Sequence, residues 1–300
     1  MIVLTTTIYA QAPYVLVLGV AQDGGFPQAG CSKLCCKEAW KNPQARKFVS
    51  CIAIINPATK QSWLVDATPD LAMQLQLLRV HLNDSNHIPS GIFLTHAHIG
   101  HYAGLAQLGR EVMGTKSIPV YAMPRMLDYL KSNGPWSQLV KLQNIDLRPI
   151  QANVTTSVMN GISFTPFLVP HRDEFSETVG YGIQFANSSA LYIPDIDKWE
   201  KWYTEDTPQK MDSLFSSYSF VLIDGTFNAS DELGEGRMKD IPHPFVEESV
   251  AMFNGFDNTT KHKIYFIHLN HTNPLLQDGA QAKQLYFKGF RVAKQGDVLK

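Results

Sequence analysis

Residues 91–105 read Gly-Ile-Phe-Leu-Thr-His-Ala-His-Ile-Gly-His-Tyr-Ala-Gly-Leu. The apolar start of this stretch predicts a short buried strand, and His96, His98 and His101 follow it within six positions. Because the whole chain has only ten histidines in 300 residues, this clustering is far above chance. Imidazole is the commonest protein ligand of zinc and also suits iron, copper and nickel. The stretch therefore indicates a metal site at a strand end, with surface histidines on a polar loop as the alternative.

The spacing of these histidines resembles the metallo-β-lactamase superfamily, whose usual pattern at this place is His-x-His-x-Asp-His. Gly100 stands where that family normally has an aspartate that binds the second metal. The resemblance implies an α/β fold, the four-layer αββα metallo-β-lactamase sandwich, and a metal-dependent hydrolase. The departure at Gly100 predicts a weaker second metal site.

Three further residues resemble later motifs of the superfamily, each at the end of a predicted strand. His171 would complete a three-histidine site, His268 would bind the second metal, and Asp195 would bridge two metals. The implied metal ligands are His96, His98, His101, His171, Asp195 and His268. Asp195 is also expected to act in catalysis, because a bridging carboxylate holds two cations so that one water lies between them. An N-cap role for Asp195 or Asp197 in a following helix is the alternative.

Other polar residues are expected to support these ligands or the substrate. Asp66 resembles the family's first motif, in which a strand-terminal aspartate holds a metal histidine from behind, and a helix-capping role is compatible with this. His271 is expected to support the same metals. His243 is a candidate general acid or phosphate contact, as in the cyclic-phosphodiesterase branch of the superfamily, with a plain loop histidine as the alternative.

The order of predicted elements fits two sheets packed face to face with helices outside them. Strand and helix patterns alternate, and no repeat or low-complexity linker separates two halves. The glycine-containing loop at residues 20–28 is not followed by a helix start, so we interpret it as a structural loop near the site rather than a nucleotide cradle. We therefore predict a single domain over residues 13–300.

The first residues and the cysteines bear on the cellular compartment. Residues 1–12 form a short apolar stretch that ends in Ala-Gln-Ala but lacks a basic start. A signal peptide there predicts a periplasmic or secreted protein, and a ragged terminus leaves a cytoplasmic one. The cysteines would form disulfides in an oxidising compartment, form a small structural zinc site in a reducing one, or stay unligated in the core. They are Cys31, Cys35, Cys36 and Cys51.

Charge and composition limit the partners. The formal net charge is −1 and no run of Lys or Arg occurs, which disfavours long nucleic acids as substrates. No apolar run reaches the roughly 18 residues that a membrane span needs. A small-molecule substrate is therefore expected, and the oligomeric state stays open.

These observations predict hydrolysis by a metal-bound hydroxide, with one or two zinc ions and with manganese or iron as possible replacements. A small phosphodiester is the first expectation, because the layout resembles the cyclic-phosphodiesterase relatives, and a lactone or β-lactam is an alternative. Residues 18–31, 169–182, 191–199 and 267–276 look closer to the coenzyme PQQ biosynthesis protein B group. That resemblance raises iron-dependent oxidation of a PQQ-like precursor as another alternative. A metal-binding protein without turnover is the last.

Overall fold

The first strand shows how the sequence sets the layers of the molecule. β1 spans Tyr14–Gly19, and its side chains point alternately to opposite faces of the sheet. Val15 and Val17 lie in the core between the two sheets, whereas Leu16 and Leu18 pack with the helices outside. Because both faces are covered, the whole strand is buried and its sequence is a continuous apolar run.

The computed structural model describes residues 11–202, 207–234, 236–238, 240–277 and 279–300. Of the predicted signal peptide at residues 1–12, all but the last two residues lie outside these ranges. No helix in the described ranges is long and apolar enough to cross a bilayer.

The first sheet joins the start of the chain to its C-terminal end. Its other strands are β2 (Cys51–Asn56), β3 (Gln61–Val65), β4 (Gly91–Phe93), β5 (Ile118–Ala122), β6 (Ile145–Pro149) and β14 (Val298–Leu299). The strand order is β14-β1-β2-β3-β4-β5-β6. β1 to β3 pair antiparallel, and β3 to β6 pair parallel.

The second sheet is built from the later part of the chain. Its strands are β7 (Thr156–Met159), β8 (Ile162–Leu168), β9 (Val179–Phe185), β10 (Ser188–Ile193), β11 (Phe220–Asp224), β12 (Ile264–Ile267) and β13 (Arg291–Val292). The strand order is β13-β12-β11-β10-β9-β8-β7. β7 to β10 pair antiparallel, and β10 to β13 pair parallel.

Helices cover the outer face of each sheet. The helices are α1 (Leu34–Lys41), α2 (Leu71–Leu82), α3 (Ile99–Tyr102), α4 (Pro124–Ser132), α5 (Trp136–Lys141), α6 (Thr207–Ser216), α7 (Val246–Met252), α8 (Asn258–Lys261) and α9 (Ala280–Phe287). Short 3-10 segments lie at Pro43–Ala45, Ala103–Leu108, Trp199–Lys201, Phe253–Gly255 and Pro274–Leu276. Leu75 of α2 and Leu130 of α4 pack on the first sheet, and Phe215 of α6 packs with the second. The predicted four-layer αββα sandwich is confirmed.

Candidate metal centre

Strand ends bring the predicted ligands to one edge of the sandwich. His96 and His98 follow β4, His171 follows β8, Asp195 follows β10, and His268 follows β12. The carboxyl ends of parallel strands meet at the same edge of a sheet, so the two sheets present these side chains to each other.

Four of these residues form what we call the first donor group: His96, His98, His171 and Asp195. His98 Nδ1 lies 2.9 Å from His96 Nε2 and 3.2 Å from His171 Nε2. Asp195 Oδ2 lies 3.2 Å from both of those Nε2 atoms and 3.7 Å from His98 Nδ1. Tetrahedral zinc with bonds of about 2.0–2.1 Å would hold its ligand atoms about 3.3 Å apart. The spacing of the first donor group therefore fits a tetrahedral divalent ion.

The hydrogen bond between His96 Nδ1 and Thr95 determines which ring nitrogen of His96 carries the proton. The Thr95 hydroxyl donates to Asp66 Oδ1 at 2.9 Å, and Thr95 Oγ1 lies 3.0 Å from His96 Nδ1. Because the hydroxyl has already given its only proton, His96 Nδ1–H must donate to it. His96 Nε2 is then a lone pair that points into the first donor group.

The other two histidines of the group follow the same rule. His171 Nδ1 lies 3.1 Å from Asp197 Oδ1, and His98 Nε2 lies 3.3 Å from Glu174 Oε2. Carboxylates only accept, so each of these nitrogens donates, and in the neutral imidazole the opposite nitrogen faces the centre as a lone pair. Asp197 thus orients His171, and it is not the N-cap of the 3-10 segment Trp199–Lys201, whose N-cap is Lys198. Three lone pairs and a carboxylate oxygen packed together would be stabilised by a cation between them.

A second donor group consists of Asp23, His101 and His268. Asp23 Oδ1 lies 3.4 Å from His101 Nε2 and 3.7 Å from His268 Nε2. These three atoms are buried and have no hydrogen-bond partner within the described part of the chain. Burial opposes ionisation of Asp23, but the two histidines outweigh it and hold the pKa of this carboxyl well below its ordinary value.

The two groups meet at Asp195. Its Oδ2 atom, part of the first donor group, lies 3.9 Å from His101 Nε2, and its Oδ1 atom is buried without a hydrogen-bond partner in the described ranges. Burial would raise the pKa of Asp195, but His171 and His243 outweigh burial and lower it well below the ordinary value. Asp195 is therefore a carboxylate between the two groups, which is the position that the predicted bridging role requires.

Burial and charge set opposite pKa shifts on neighbouring histidines. Burial, reinforced by His101, lowers the pKa of His96 well below its ordinary value, so His96 is neutral as a ligand must be. Burial also opposes the charge on His101, but the Asp66 carboxylate at 2.7 Å from its Nδ1 outweighs burial and raises the pKa of His101 well above the ordinary value.

His243 is buried beside Asp195. Its Nδ1 atom lies 2.8 Å from Asp224 Oδ2 and 3.2 Å from Asp195 Oδ1. Burial disfavours the imidazolium, but the Asp224 and Asp195 carboxylates outweigh it and raise the pKa of His243 to about 9. Asp224 also accepts from the Ile196 and Thr226 backbones and from the Thr226 hydroxyl. Its oxygens are thus used in orienting neighbours, although it lies close to Asp195 and His268.

Two residues at the candidate metal centre, Asp66 and His268, have left-handed backbone conformations. Asp66, directly after β3, has φ 74°, and His268, directly after β12, has φ 63°. Such conformations cost on the order of 1–3 kcal/mol for a residue with a side chain and persist where surrounding contacts impose them. At both positions the backbone turns directly after the strand, and the side chain points into the site.

The cysteines divide into a cluster and a single residue. Cys31, Cys35 and Cys36 lie with His271, and their ligand atoms are within 4.8 Å of one another. All four cysteines of the chain are free thiols, so of the three alternatives the disulfides are absent from the structure. The Cys31 and Cys35 sulfurs are 3.8 Å apart, close to the roughly 3.8 Å expected for two thiolates at 2.3 Å from one zinc. This geometry favours the predicted structural zinc site.

Two predictions differ from the structure at this cluster. His271 lies with these cysteines and not with the histidines of the two donor groups, because the chain turns away after His268. Cys51 lies apart in β2, where its buried thiol donates to the Asp66 carbonyl at 3.5 Å. The sequence analysis also missed Asp23, and its only signal was an isolated carboxylate in a tight glycine-containing loop.

Known proteins share this fold. A family model described as a β-lactamase superfamily domain matches residues 62–269. Coenzyme PQQ synthesis protein B of Methylorubrum extorquens (strain PA1) is 27% identical over 316 residues, covering 95% of this chain and 99% of that protein. The crystal structure of zinc-bound PqqB from Methylobacterium extorquens is 25% identical with a TM-score of 0.78, covering 96% of this chain and 99% of that one. A diphosphatase of the PhnP family is 21% identical with a TM-score of 0.65, covering 96% and 97%.

Proposed function

The chain belongs to the β-lactamase superfamily, and from this premise we propose that it is a metal-dependent hydrolase that acts on small phosphodiesters. The observation that supports the proposal is the first donor group. Three histidine nitrogens and one carboxylate oxygen converge within 4.8 Å of one another, and each histidine is held from behind by an acceptor. Such a donor set fits zinc and also accommodates manganese or iron.

Different residues of the centre would have different roles in hydrolysis. His96, His98, His171 and Asp195 would hold a divalent ion, which would supply a water of near-neutral pKa and polarise the bond to be cleaved. Asp66 and Asp197 keep the ligand histidines in the required tautomer and orientation. His243 is bound to Asp224 through Nδ1, so the proton that it can transfer is on Nε2. In the metal-free protein the Asp224 and Asp195 carboxylates raise the pKa of His243 to about 9, and the hydrogen bond to Asp224 favours a proton that His243 could donate to a leaving-group oxygen.

One cation beside the site, Arg172, supports an anionic substrate, and the same segment also carries the exposed carboxylates of Asp173 and Glu174. Arg172 follows the ligand His171, is exposed, and lies close enough to oppose protonation of His243. A phosphodiester carries one negative charge, which Arg172 and the protonated His243 complement. A lactone or a β-lactam ring offers no such charge at the scissile bond, so we place these substrates second.

The test measures zinc content and hydrolysis of bis(p-nitrophenyl) phosphate together. We expect the wild type to bind zinc and to hydrolyse this diester, and His96→Ala to lose one ion and at least about 100-fold in rate, because an open ligand position leaves the ion weakly held. His262→Ala is the control, since His262 is an exposed histidine outside the site. Zinc-loaded wild type without activity on the diester, on lactones or on β-lactams would leave a metal-binding protein without turnover.

A second function is favoured by the similarity to coenzyme PQQ synthesis protein B over 95% of the chain. Three histidines and a carboxylate also suit iron, which would support oxidation of a PQQ-like precursor. Purification under metal-limited and iron-supplemented growth separates the two proposals. Iron in the first donor group together with substrate-dependent oxygen consumption would favour oxidation, whereas zinc or manganese with diester hydrolysis favours the hydrolase.

A further inference from the structure

We propose that Asp23 is a ligand of a second ion and takes the position of the side chain that Gly100 lacks. The proposal rests on the proposed function, because it concerns a second ion in the same centre. It is supported by the space around Gly100, by the direction of the lone pairs in the second donor group, and by the backbone contacts that hold the loop of Asp23.

A side chain at residue 100 and the side chain of Asp23 would occupy the same space. A Cβ atom added to Gly100 would lie 2.0 Å from Asp23 Oδ1 and 2.8 Å from Asp23 Cγ, whereas real Cβ contacts essentially never fall below 3.0 Å. An aspartate at residue 100, as in the pattern of the superfamily, is thus incompatible with this position of Asp23. The glycine admits a carboxylate that arrives from a distant part of the chain.

The Nε2 atoms of both histidines in the second donor group face this carboxylate, and each would offer a lone pair to an ion once its imidazole is neutral. His101 Nδ1 donates to Asp66 at 2.7 Å, so its Nε2 atom faces Asp23. The Thr226 hydroxyl makes the same two kinds of hydrogen bond as the Thr95 hydroxyl, one to a carboxylate and one to a histidine. It donates to Asp224 at 2.7 Å and accepts from His268 Nδ1 at 2.9 Å, which leaves His268 Nε2 as a lone pair.

The backbone holds Asp23 next to His268. Gln22 N donates to the Leu269 carbonyl at 2.8 Å, and Leu269 N donates to the Val20 carbonyl at 2.8 Å. The loop after β1 is therefore paired with the residue that follows His268 at the end of β12. These contacts fix the Asp23 carboxylate relative to one of the two histidines that it faces.

The competing explanation is a proton in place of an ion. A single proton on one imidazole could join Asp23 to that ring as a buried ion pair, but the other ring would keep an unpaired lone pair. A divalent ion accepts all three donor atoms at once, and Asp195 supplies a further carboxylate 3.9 Å from His101 Nε2. Both explanations predict an ordered Asp23, so metal content must separate them.

The experiment compares the zinc content of the wild type with that of Asp23→Ala and Asp23→Asn after loading and dialysis, together with the visible absorption of the cobalt(II)-substituted proteins. We expect Asp23→Ala to hold one ion per chain fewer than the wild type. Asp23→Asn, which keeps the size of the side chain if the alanine variant fails to fold, should bind that ion more than about 10-fold more weakly. Wild-type zinc content and affinity in the folded variants would overturn the proposal.

Asp70→Asn is the matched control, because Asp70 is a nearby half-buried carboxylate that accepts from Val49 N at 2.8 Å and belongs to neither donor group. We expect it to keep all ions. Loss of the same ion in Asp70→Asn would mean that removing any neighbouring carboxylate has this effect, and would also overturn the assignment of Asp23.

Gly100→Ala provides an independent arm. A methyl group there would displace the Asp23 carboxylate, so we expect the same ion to be lost although no ligand is removed. The double variant Asp23→Ala/Gly100→Ala should lose no further ion, because both changes act on one interaction. A Gly100→Ala protein with full zinc content would contradict the shared position.

His96→Ala separates this proposal from the proposed function. If Asp23 variants lose one ion while His96→Ala keeps full hydrolysis of the diester, the second site stands and the assignment of hydrolysis to the first donor group fails. If His96→Ala abolishes hydrolysis and Asp23 variants keep every ion, the hydrolase stands and the role of Asp23 fails.

Discussion

His243 shows, at the scale of one residue, how neighbouring carboxylates in a buried site shift the pKa of a histidine. The Asp224 and Asp195 carboxylates raise its pKa against the effects of burial and of Arg172, and the rings of His171 and His268 lie 5.6 and 6.3 Å away. The folded pKa of about 9 lies above the ordinary value of 6.5. His243 therefore stabilises the metal-free fold fully below pH 6.5, and this contribution is lost as the pH rises towards about 9.

We predict that His243→Gln flattens the pH dependence of the free energy of unfolding. Between pH 6.5 and 9 the metal-free wild type should lose on the order of 3 kcal/mol relative to this variant, since each tenfold change in proton affinity corresponds to about 1.4 kcal/mol. Urea unfolding in EDTA at several pH values measures the difference. His262→Gln, an exposed site, should follow the wild type, and a His243→Gln curve parallel to the wild type would contradict the assignment.

At the scale of elements, the ends of β3 and β4 are tied together by one carboxylate. Asp66 accepts from the Thr95 backbone at 2.8 Å, from the Thr95 hydroxyl at 2.9 Å and from His101 Nδ1 at 2.7 Å. This network connects the strand end that supplies His96 to helix α3, which contains His101. Removing the charge of Asp66 should therefore affect both stability and metal binding.

We predict that Asp66→Asn lowers the free energy of unfolding of the metal-free protein by about 1–3 kcal/mol, because an amide cannot accept all three hydrogen bonds without turning an NH₂ group towards a donor. Zinc affinity at the second donor group should fall roughly 10–100-fold, as expected when a ligand imidazole loses its acceptor. Urea unfolding and zinc titration measure the two effects. Asp70→Asn should keep the zinc affinity, and an Asp66→Asn protein that matches the wild type in both assays would contradict the network.

The elements also show what the sequence could predict. The histidine stretch after β4 and the apolar strands that precede His171, Asp195 and His268 are local signals, and they predicted the fold and the ends of the strands. Asp23 could not be found in this way, because its position depends on backbone pairing with Leu269, which lies 246 positions further along the chain. His271 was assigned to the wrong neighbourhood for the same reason, since its distance from Cys31 depends on the folded chain.

At the scale of the whole molecule, the first donor group joins the two sheets. His96 and His98 follow a strand of the first sheet, and His171 and Asp195 follow strands of the second. An ion bound by all four therefore cross-links the two layers across the inter-sheet core. Because the unfolded chain does not hold this geometry, metal binding should stabilise the folded state by mass action.

We predict that zinc at about 1,000 times its Kd adds about 4 kcal/mol to the free energy of unfolding, which corresponds to a rise in Tm of roughly 8–16 °C at the 2–4 °C per kcal/mol typical of large domains. Calorimetry in EDTA and in zinc measures this. The cysteine cluster would contribute its own increment, so Cys36→Ser and His96→Ala must be compared separately. His96→Ala should lose the increment of the inter-sheet site and keep that of the cysteine cluster, whereas Cys36→Ser should show the reverse. A wild-type Tm that is the same in EDTA and in zinc would mean that no ion bridges the sheets.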